Sequence, residues 1–236
     1  AYADCRNVMA ARIVKVPDGV TDDPAAAGLL KGTTVEYLLD AHNNFYFLEV
    51  NCRIQVEHPV SEMVTGVDIV EHQLRVAAGQ KLSITQNHVR ARGHSIEGRI
   101  YSEDPKNFTP TVGTITKYRE PTGGGIRVDS GLASGYEVTP FYDPMLAKLI
   151  VWRETREEAI TAMVSALDEY TIEGVVTNIP LLSKIVQHPS FVTGQYDTAT
   201  LTPELANSTP KKERDVGDLS EPVSYTHLTL PTSDLV

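Results

Sequence analysis

The chain has 236 residues, 41% of them hydrophobic, which is enough for a folded core and excludes a chain that is disordered throughout. Its formal net charge of −10 and pI near 5.1 argue against nucleic acid or an anionic membrane as the main partner, because both attract positive charge. Two cysteines, Cys5 and Cys52, are too few for a disulfide framework and fit a reducing compartment such as the cytoplasm.

The two ends of the chain differ from its middle. No run is long and apolar enough for a membrane span, and the start has neither a signal peptide pattern nor an initiator Met. We therefore expect a fragment, and an upstream address for mitochondria or plastids stays open. Residues 1–31 predict no clear element, and the polar, turn-rich tail at 206–236 is expected to lie outside the core, its last dozen residues resembling translated adaptor sequence.

A β-hairpin is predicted after residue 32. The β-rich runs "TTVEYLLD" and "FYFLEV" are separated by "AHNN", which suits a hairpin connection. If residues 41–44 form the loop, Asp40 faces Phe45 and Glu36 falls opposite Glu49. Two carboxylates directly opposed on one face are destabilising unless positive charge lies between them.

The second strand and its continuation to His58 separate polar from apolar side chains. Alternation along an extended chain places the even-numbered residues from Tyr46 to Val56 on one apolar face, and we expect Cys52 on that face to be a small core residue. The other face collects the polar groups Glu49, Asn51, Arg53, Gln55 and Glu57.

Further along, the pattern predicts one amphipathic helix over residues 61–79 that ends at Gly79. Strand candidates follow in "HSIEGRIYSEDP", "GTITKYREP", "GGGIRVDS" and "MLAKLIVW". A capping box of Thr155 and Glu158 then begins a helix, and Pro180 is suited to the first turn of another.

The polar face of the hairpin carries residue types that suit a reaction on an oxyanion. Glu36, Glu49 and Asn51 offer the hard oxygen ligands that Mg²⁺ or Mn²⁺ prefers. Arg53 could hold a planar oxyanion through two hydrogen bonds, and Glu57 could act as a base beside it. The alternative is an ordinary solvated strand face, because exposed charges are common.

Longer motifs carry a resemblance to a known family. "GTTVEYLLD", "NFYFLEVNCRIQVEHPVSEMVTGVD", "GHSIEGRIYSEDP", "YDPMLAKLIVW" and "ALDEYTIEGVVTNIP" resemble biotin carboxylase, the ATP-grasp component of biotin-dependent carboxylases such as acetyl-CoA carboxylase. The resemblance runs from about residue 32 to 201. It implies an α+β fold, with the rear part of an ATP-grasp domain at 32–92 and the biotin carboxylase C-terminal domain at 93–205.

The resemblance implies roles for the residues of the hairpin. Glu36, Glu49 and Asn51 match side chains that hold the phosphates of ATP through Mg²⁺ or Mn²⁺. Leu38 matches an apolar contact to the adenine.

The resemblance likewise assigns the reacting groups. Arg53, Gln55 and the backbone at Val56 match the bicarbonate cradle, and Glu57 matches the base that deprotonates bicarbonate. Arg99 matches the arginine that steadies the ureido oxygen of biotin.

Two further expectations concern arginines. Alone, Arg99 would be interpreted as a partner of Glu97 or Glu103. Arg127 matches a position in the family's homodimer contact.

The implied reaction is the ATP-dependent carboxylation of biotin by bicarbonate through carboxyphosphate, with biotin on a carrier domain and a carboxyltransferase as a further partner. The family's glycine-rich ATP lid and its lysines match nothing in residues 1–31, so we expect this chain alone to be inactive. Two alternatives stay open: a non-catalytic module that binds nucleotide and metal or dimerises, and an ATP-grasp ligase of the carbamoyl-phosphate synthetase type.

Overall fold

The computed structural model describes residues 33–39, 44–196, 200–202 and 205, without the side chains of 33–39, Phe45 and Gln86. The expectations for residues 1–31, for loop residues 41–43 and for the tail at 206–236 fall outside these ranges. No helix within them is long and apolar enough to cross a bilayer.

The described residues alternate short helices with antiparallel strands, which confirms the expected α+β class. The strands are β1 Thr33–Leu39, β2 Phe45–Cys52, β3 His94–Tyr101, β4 Gly113–Thr114, β5 Lys117–Arg119, β6 Ile126–Ser130, β7 Glu137–Val138, β8 Met145–Arg153 and β9 Thr171–Glu173. The α-helices are α1 His58–Thr65, α2 Ile69–Ala77, α3 Arg156–Glu169, α4 Ile179–Gln187 and α5 Pro189–Thr193, with a 3₁₀ turn at Gln86–His88.

The hairpin of β1 and β2 has the predicted pairing at its two glutamates. Glu36 lies opposite Glu49, as counted from the sequence. The predicted pairing of Asp40 with Phe45 is wrong, because Leu39 takes that place. A bulge adds one residue to β2 between Phe47 and Glu49, and this extra residue restores the predicted pairing of Glu36 with Glu49.

The apolar face of β2 is exposed instead of buried. Tyr46 is 54% exposed, Leu48 49% and Val50 46%. Cys52 is also exposed, so the expectation that it is a small core residue is wrong. The physical reason is that the hairpin is a two-stranded sheet, and in the described ranges the buried cores lie around other sheets.

The helix expected over residues 61–79 is interrupted at Gly66. Gly66 adopts φ 71°, and its N–H caps α1 by donating to the carbonyl of Glu62. Asp68 then starts α2, because its side chain accepts a hydrogen bond from the backbone N–H of Glu71 at 2.7 Å. The left-handed glycine and the cap together turn one periodic stretch into two helices.

The main core lies under a three-stranded antiparallel sheet in the order β3, β8, β6. Helix α3 packs on one face of this sheet and α4 packs on α3. Leu149, Val151 and Met163 have no exposed surface in this core. The helix starts follow the sequence: Thr155 and Glu158 form the complete capping box of α3, and Pro180 occupies the first turn of α4.

The predicted strand "GTITKYREP" is divided between two sheets. Its first part is β4, which pairs with β7, and its second part is β5, which pairs with β9. Gly174 explains how the segments approach so closely. It has φ 103°, and a Cβ built on it would lie 2.0 Å from the carbonyl oxygen of Thr114.

Candidate functional site

Charged side chains form rows across the face of the three-stranded sheet that α3 leaves free. Arg99 of β3 pairs with Lys148 of β8, which in turn pairs with Asp129 of β6. Side chains of directly paired residues project to the same face. Glu97 and Arg127 lie two positions along their strands and so belong to the next row of that face.

The chain between the hairpin and α1 lies against these rows. We call residues 56–62 the docking segment. Cationic side chains from all three strands donate to it: Arg99 Nη2 to Glu57 Oε2 at 2.8 Å, Lys148 Nζ to the carbonyl oxygen of Val56 at 3.1 Å, and Arg127 Nη1 to Glu62 Oε2 at 2.7 Å. The sheet therefore fixes the docking segment at three points.

The contact between Glu57 and Arg99 brings together two groups that the sequence singled out separately. They are 42 residues apart in the chain. Their side chains are 39% and 34% exposed, so the pair is partly open to solvent and accessible to a small ligand. An ionised pair of this geometry is a charge-assisted hydrogen bond between a possible base and a possible anion-binding group.

Arg127 is held within its own chain. Besides Glu62, it binds both oxygens of Asp129 at 2.7 and 3.0 Å. Burial alone would raise the pKa of Asp129, but hydrogen bonds from Arg127 and Lys148 outweigh burial and leave that pKa below its usual value. Arg127 thus helps to fix α1 on the sheet, and its predicted homodimer contact stays a prediction.

Glu97 is a buried carboxyl group next to Arg99. Its side chain is 4% exposed, and its Oε1 lies 3.7 Å from Nε of Arg99. Burial raises the pKa of Glu97 to about 7, although the positive charges of Lys148 and Arg99 oppose the shift. The alternative partner of Arg99 considered from the sequence is therefore present, at ion-pair distance, in addition to Glu57.

Asn178 secures the backbone that carries Arg99. Its side chain is buried, donates to the carbonyl of Arg99 at 3.0 Å and accepts from the N–H of Tyr101 at 2.9 Å. The backbone N–H of Asn178 donates to the carbonyl of Tyr101 at 3.2 Å. Asn178 therefore pairs with this end of β3 as a short extra strand would.

The polar residues of β2 and its continuation form two local pairs. Asn51 Nδ2 donates to Glu49 Oε1 at 3.0 Å, and Arg53 Nη1 donates to Gln55 Oε1 at 3.1 Å. Each pair joins residues two positions apart, and their predicted roles stay predictions.

The metal prediction rests on residues whose description is incomplete. The described side chains contain no cluster of three His, Cys, Asp or Glu residues suited to a metal. The side chains of Glu36 and Leu38 lie outside the description, so only the pairing of Glu36 with Glu49 is known. A carboxylate beside an amide, with a second carboxylate residue opposite in register, has the hard-oxygen chemistry that Mg²⁺ requires. These residue types fit the metal, and the site itself stays a prediction.

The sequence analysis did not single out four residues that hold the site together through hydrogen bonds and ion pairs: Glu62, Asp129, Lys148 and Asn178. Lys148 did carry a signal, since a single lysine within the apolar run "MLAKLIVW" must reach a partner when its strand is buried. The partners themselves depend on strand pairing and could not be found from spacing.

Comparison with known proteins identifies two domain families along the chain. Residues 97–203 match the biotin carboxylase C-terminal domain, and residues 24–85 match the ATP binding domain of the carbamoyl-phosphate synthase L chain. Biotin carboxylase of Halalkalibacterium halodurans is 52% identical over 172 residues, which are 73% of this chain and 38% of that protein. Biotin carboxylase 2 of Bacillus subtilis is 48% identical over 180 residues, covering 76% of this chain and 40% of that protein.

A solved structure agrees with these matches. The biotin carboxylase domain dimer of Hydrogenobacter thermophilus 2-oxoglutarate carboxylase, in complex with MgADP, ADP and bicarbonate, superposes with a TM-score of 0.72 at 49% identity. The match covers 75% of this chain and 40% of that one. The chain therefore spans less than half the length of these relatives, within which it carries the C-terminal domain and part of the ATP-binding domain, and it belongs to the biotin carboxylase family.

Proposed function

We propose that the chain supplies one half of the reaction site of an ATP-dependent biotin carboxylase. The contact between Glu57 and Arg99 carries this proposal, because it unites a candidate base with a candidate anion-binding arginine at a partly open surface. The relatives named biotin carboxylases support it, as does the MgADP and bicarbonate bound by the Hydrogenobacter protein.

Bicarbonate would bind along the polar face beyond β2. Arg53 and Gln55 are neighbours at 3.1 Å and offer donors to its oxygens, with the backbone at Val56 beside them. Glu57 would accept the proton of bicarbonate, and the deprotonated bicarbonate oxygen would then be a better nucleophile toward ATP. The resulting carboxyphosphate reacts readily with water, so the reaction requires a site from which water is excluded.

ATP would bind at the hairpin, with Leu38 against the adenine. Glu36, Glu49 and Asn51 would hold Mg²⁺ or Mn²⁺, which offsets charge on the phosphoryl group during transfer. The hydrogen bond between Asn51 and Glu49, and the register that places Glu36 opposite Glu49, support assigning the three residues to one ion.

Arg99 would bind the ureido oxygen of biotin as negative charge develops there. The biotin would be presented by a carrier domain, and a carboxyltransferase would take over the carboxyl group. We also propose domain boundaries at 32–92 and 93–205, and a homodimer in which Arg127 lies near the contact, since the Hydrogenobacter domain is a dimer. A cytoplasmic location stays a prediction.

The test is an assay of biotin-dependent ATP cleavage. This chain would be joined to the preceding portion of the Halalkalibacterium enzyme and compared with the unextended chain. We expect activity only in the extended protein, and a loss of about a hundredfold or more in Glu57→Gln. Glu154→Gln, an exposed carboxyl on the same chain, is the matched control and should leave the rate unchanged.

Two results would overturn the proposal: a folded extended protein without biotin-dependent ATP cleavage, or full activity in Glu57→Gln. MgATP titration distinguishes the non-catalytic alternative, for which binding without turnover is expected. Ammonia offered in place of biotin tests the carbamoyl-phosphate synthetase alternative, which the family match at residues 24–85 keeps open.

A further inference from the structure

Glu97 has no task in the function proposed above, although it lies beside the arginine that has one. Its side chain is 4% exposed. One oxygen faces Nε of Arg99 at 3.7 Å, and the other is buried without a hydrogen-bond partner among the described residues. A buried carboxyl oxygen without a donor is costly, so its position calls for a physical reason.

Arg99 meets two carboxyl groups through different edges of its guanidinium. Nη2 donates to Glu57 at 2.8 Å, which is a short charge-assisted hydrogen bond. Nε lies 3.7 Å from Glu97, which is close enough for ion pairing and too long for a hydrogen bond. Glu97 is thus a second carboxyl partner within a small movement of the first.

Two tasks of the proposed function compete in this arrangement. While Glu57 accepts a hydrogen bond from Arg99, one of its carboxylate oxygens and one edge of the guanidinium are both occupied. When Glu57 takes the proton of bicarbonate it becomes neutral, and its attraction for Arg99 falls. A second anchor is then needed to keep the guanidinium in place for the charge that develops on biotin.

We propose, resting on the function proposed above, that Glu97 is a positioning residue for Arg99. Its carboxylate binds the Nε edge of the guanidinium when Nη2 releases Glu57. Arg99 then stays in the site with its outer edge available to the ligand. The only bond changes are at O–H groups: the proton of bicarbonate moves to Glu57, and any proton on Glu97 is released to solvent.

The charges around Glu97 couple the two carboxyls. Lys148 from β8 and Arg99 from its own strand favour the ionised form, whereas Glu57 and Asp129, from the docking segment and β6, oppose it. Burial is the largest influence, and with the negative charges of Glu57 and Asp129 it raises the pKa of Glu97 to about 7 against the opposing charges of Lys148 and Arg99. Because negative charge on Glu57 contributes to the rise, protonation of Glu57 promotes ionisation of Glu97, as the proposal requires.

The first test needs no catalytic activity. NMR of the Arg99 Nε–H group, assigned by its loss in Arg99→Lys, would be followed from pH 5 to 9 in the 236-residue chain. We expect a titration with a midpoint near pH 7 that is lost in Glu97→Gln and kept in Glu103→Gln, a buried carboxyl six residues after Glu97. In Glu57→Gln, hydrogen exchange of Nε–H should slow about tenfold as Glu97 takes over the arginine.

An Nε–H resonance that does not change with pH, or that titrates equally in Glu97→Gln, would overturn the proposal. So would unchanged exchange in Glu57→Gln. Circular dichroism of each variant verifies folding, and Glu97→Asp, which keeps the charge, should retain a titration if Glu97→Gln is unstable.

The second test uses the extended protein of the preceding section. Glu97→Gln should lower kcat roughly tenfold to a hundredfold while KM for MgATP changes less than about twofold, because only Arg99 is displaced. An active wild type with an unaffected Glu97→Gln variant would refute the positioning role and leave the proposed function intact. If the wild-type extended protein is inactive, the proposed function fails, and the NMR experiment still decides whether Glu97 holds Arg99.

Discussion

Arg127 Nη1 lies 2.7 Å from Glu62 Oε2 and so joins β6 to α1 across 65 residues of the chain. Glu62 is buried, and its other oxygen accepts the N–H of Ile69 at 2.6 Å, at the start of α2. One carboxylate therefore fixes both the docking segment to the sheet and the second helix to the first. This relationship is the structural support of the site, because Glu57 lies five residues before Glu62.

We expect Arg127→Ala to lower the free energy of unfolding by about 1–3 kcal/mol, because it leaves the buried carboxylate of Glu62 without its cation. Urea denaturation would measure the loss, and a double-mutant cycle with Glu62→Gln should give a coupling above about 1 kcal/mol. The exposed pair of Lys117 and Glu173, at 60% and 55% side-chain exposure, is the control, and its coupling should stay below about 1 kcal/mol. Equal coupling in the two pairs would contradict the structural role of Arg127.

Glu97 should make stability fall as the pH rises. Its folded-state pKa of about 7 lies above the ordinary value of 4.5, so between these values the folded chain binds more protons than the unfolded chain. The stabilising contribution is complete below pH 4.5 and is lost as pH passes about 7. Glu97→Gln removes this dependence.

Urea denaturation at pH 5 and pH 8 measures the effect of that substitution. Between the two pH values, the stability of Glu97→Gln should improve relative to wild type by roughly 2–3 kcal/mol at most. Glu103→Gln is the control for a buried carboxyl. An identical pH dependence in wild type and Glu97→Gln would show that the carboxyl group titrates normally.

Asn178→Ala should destabilise the end of β3. The substitution leaves the carbonyl of Arg99 and the N–H of Tyr101 without their side-chain partner, and we expect a cost of about 1–3 kcal/mol. Amide hydrogen exchange at Tyr101 should accelerate more than the change in global stability predicts. Gln187→Ala, which removes an exposed side-chain hydrogen bond to Ser183, should cost less than about 0.5 kcal/mol. A similar small cost for Asn178→Ala would refute its role at the strand edge.

Local pattern was sufficient for much of the fold. The opposition of Glu36 and Glu49 follows from counting residues around a hairpin, although a longer loop and a bulge compensate each other on the way. The capping box at Thr155 was readable because all its hydrogen bonds lie within four residues. The division at Gly66 was readable in principle too, since a glycine followed two residues later by a capping aspartate is a boundary signal.

The contacts that assemble the site are set by tertiary structure. Resemblance identified Glu57 and Arg99 individually, but their approach depends on which strands pair and on where the docking segment crosses them. Burial of Glu97 and Asn178 likewise depends on neighbours that are distant in sequence. The exposure of Cys52 could not be predicted from the alternation of side chains along the strand, because alternation assigns a residue to a face and does not show whether that face is covered.

Replacing Gly66 by alanine tests the cost of its left-handed backbone conformation alone, because the added methyl group would contact no other atom. Gly66 has φ 71°, and a Cβ built there would meet nothing within 4 Å. Gly66→Ala should therefore lower the free energy of unfolding by about 1–2 kcal/mol through left-handed strain alone. Gly131→Ala, with equally open space and no left-handed φ, should change it by less than about 0.5 kcal/mol.

Gly174→Ala adds a clash with the backbone to its positive φ and should destabilise the fold more than either of the other two substitutions. Urea denaturation of the three variants measures these differences. If Gly66→Ala and Gly131→Ala were equally stable, Gly66 would not end α1 in the left-handed conformation, and the angle between α1 and α2 would need another cause.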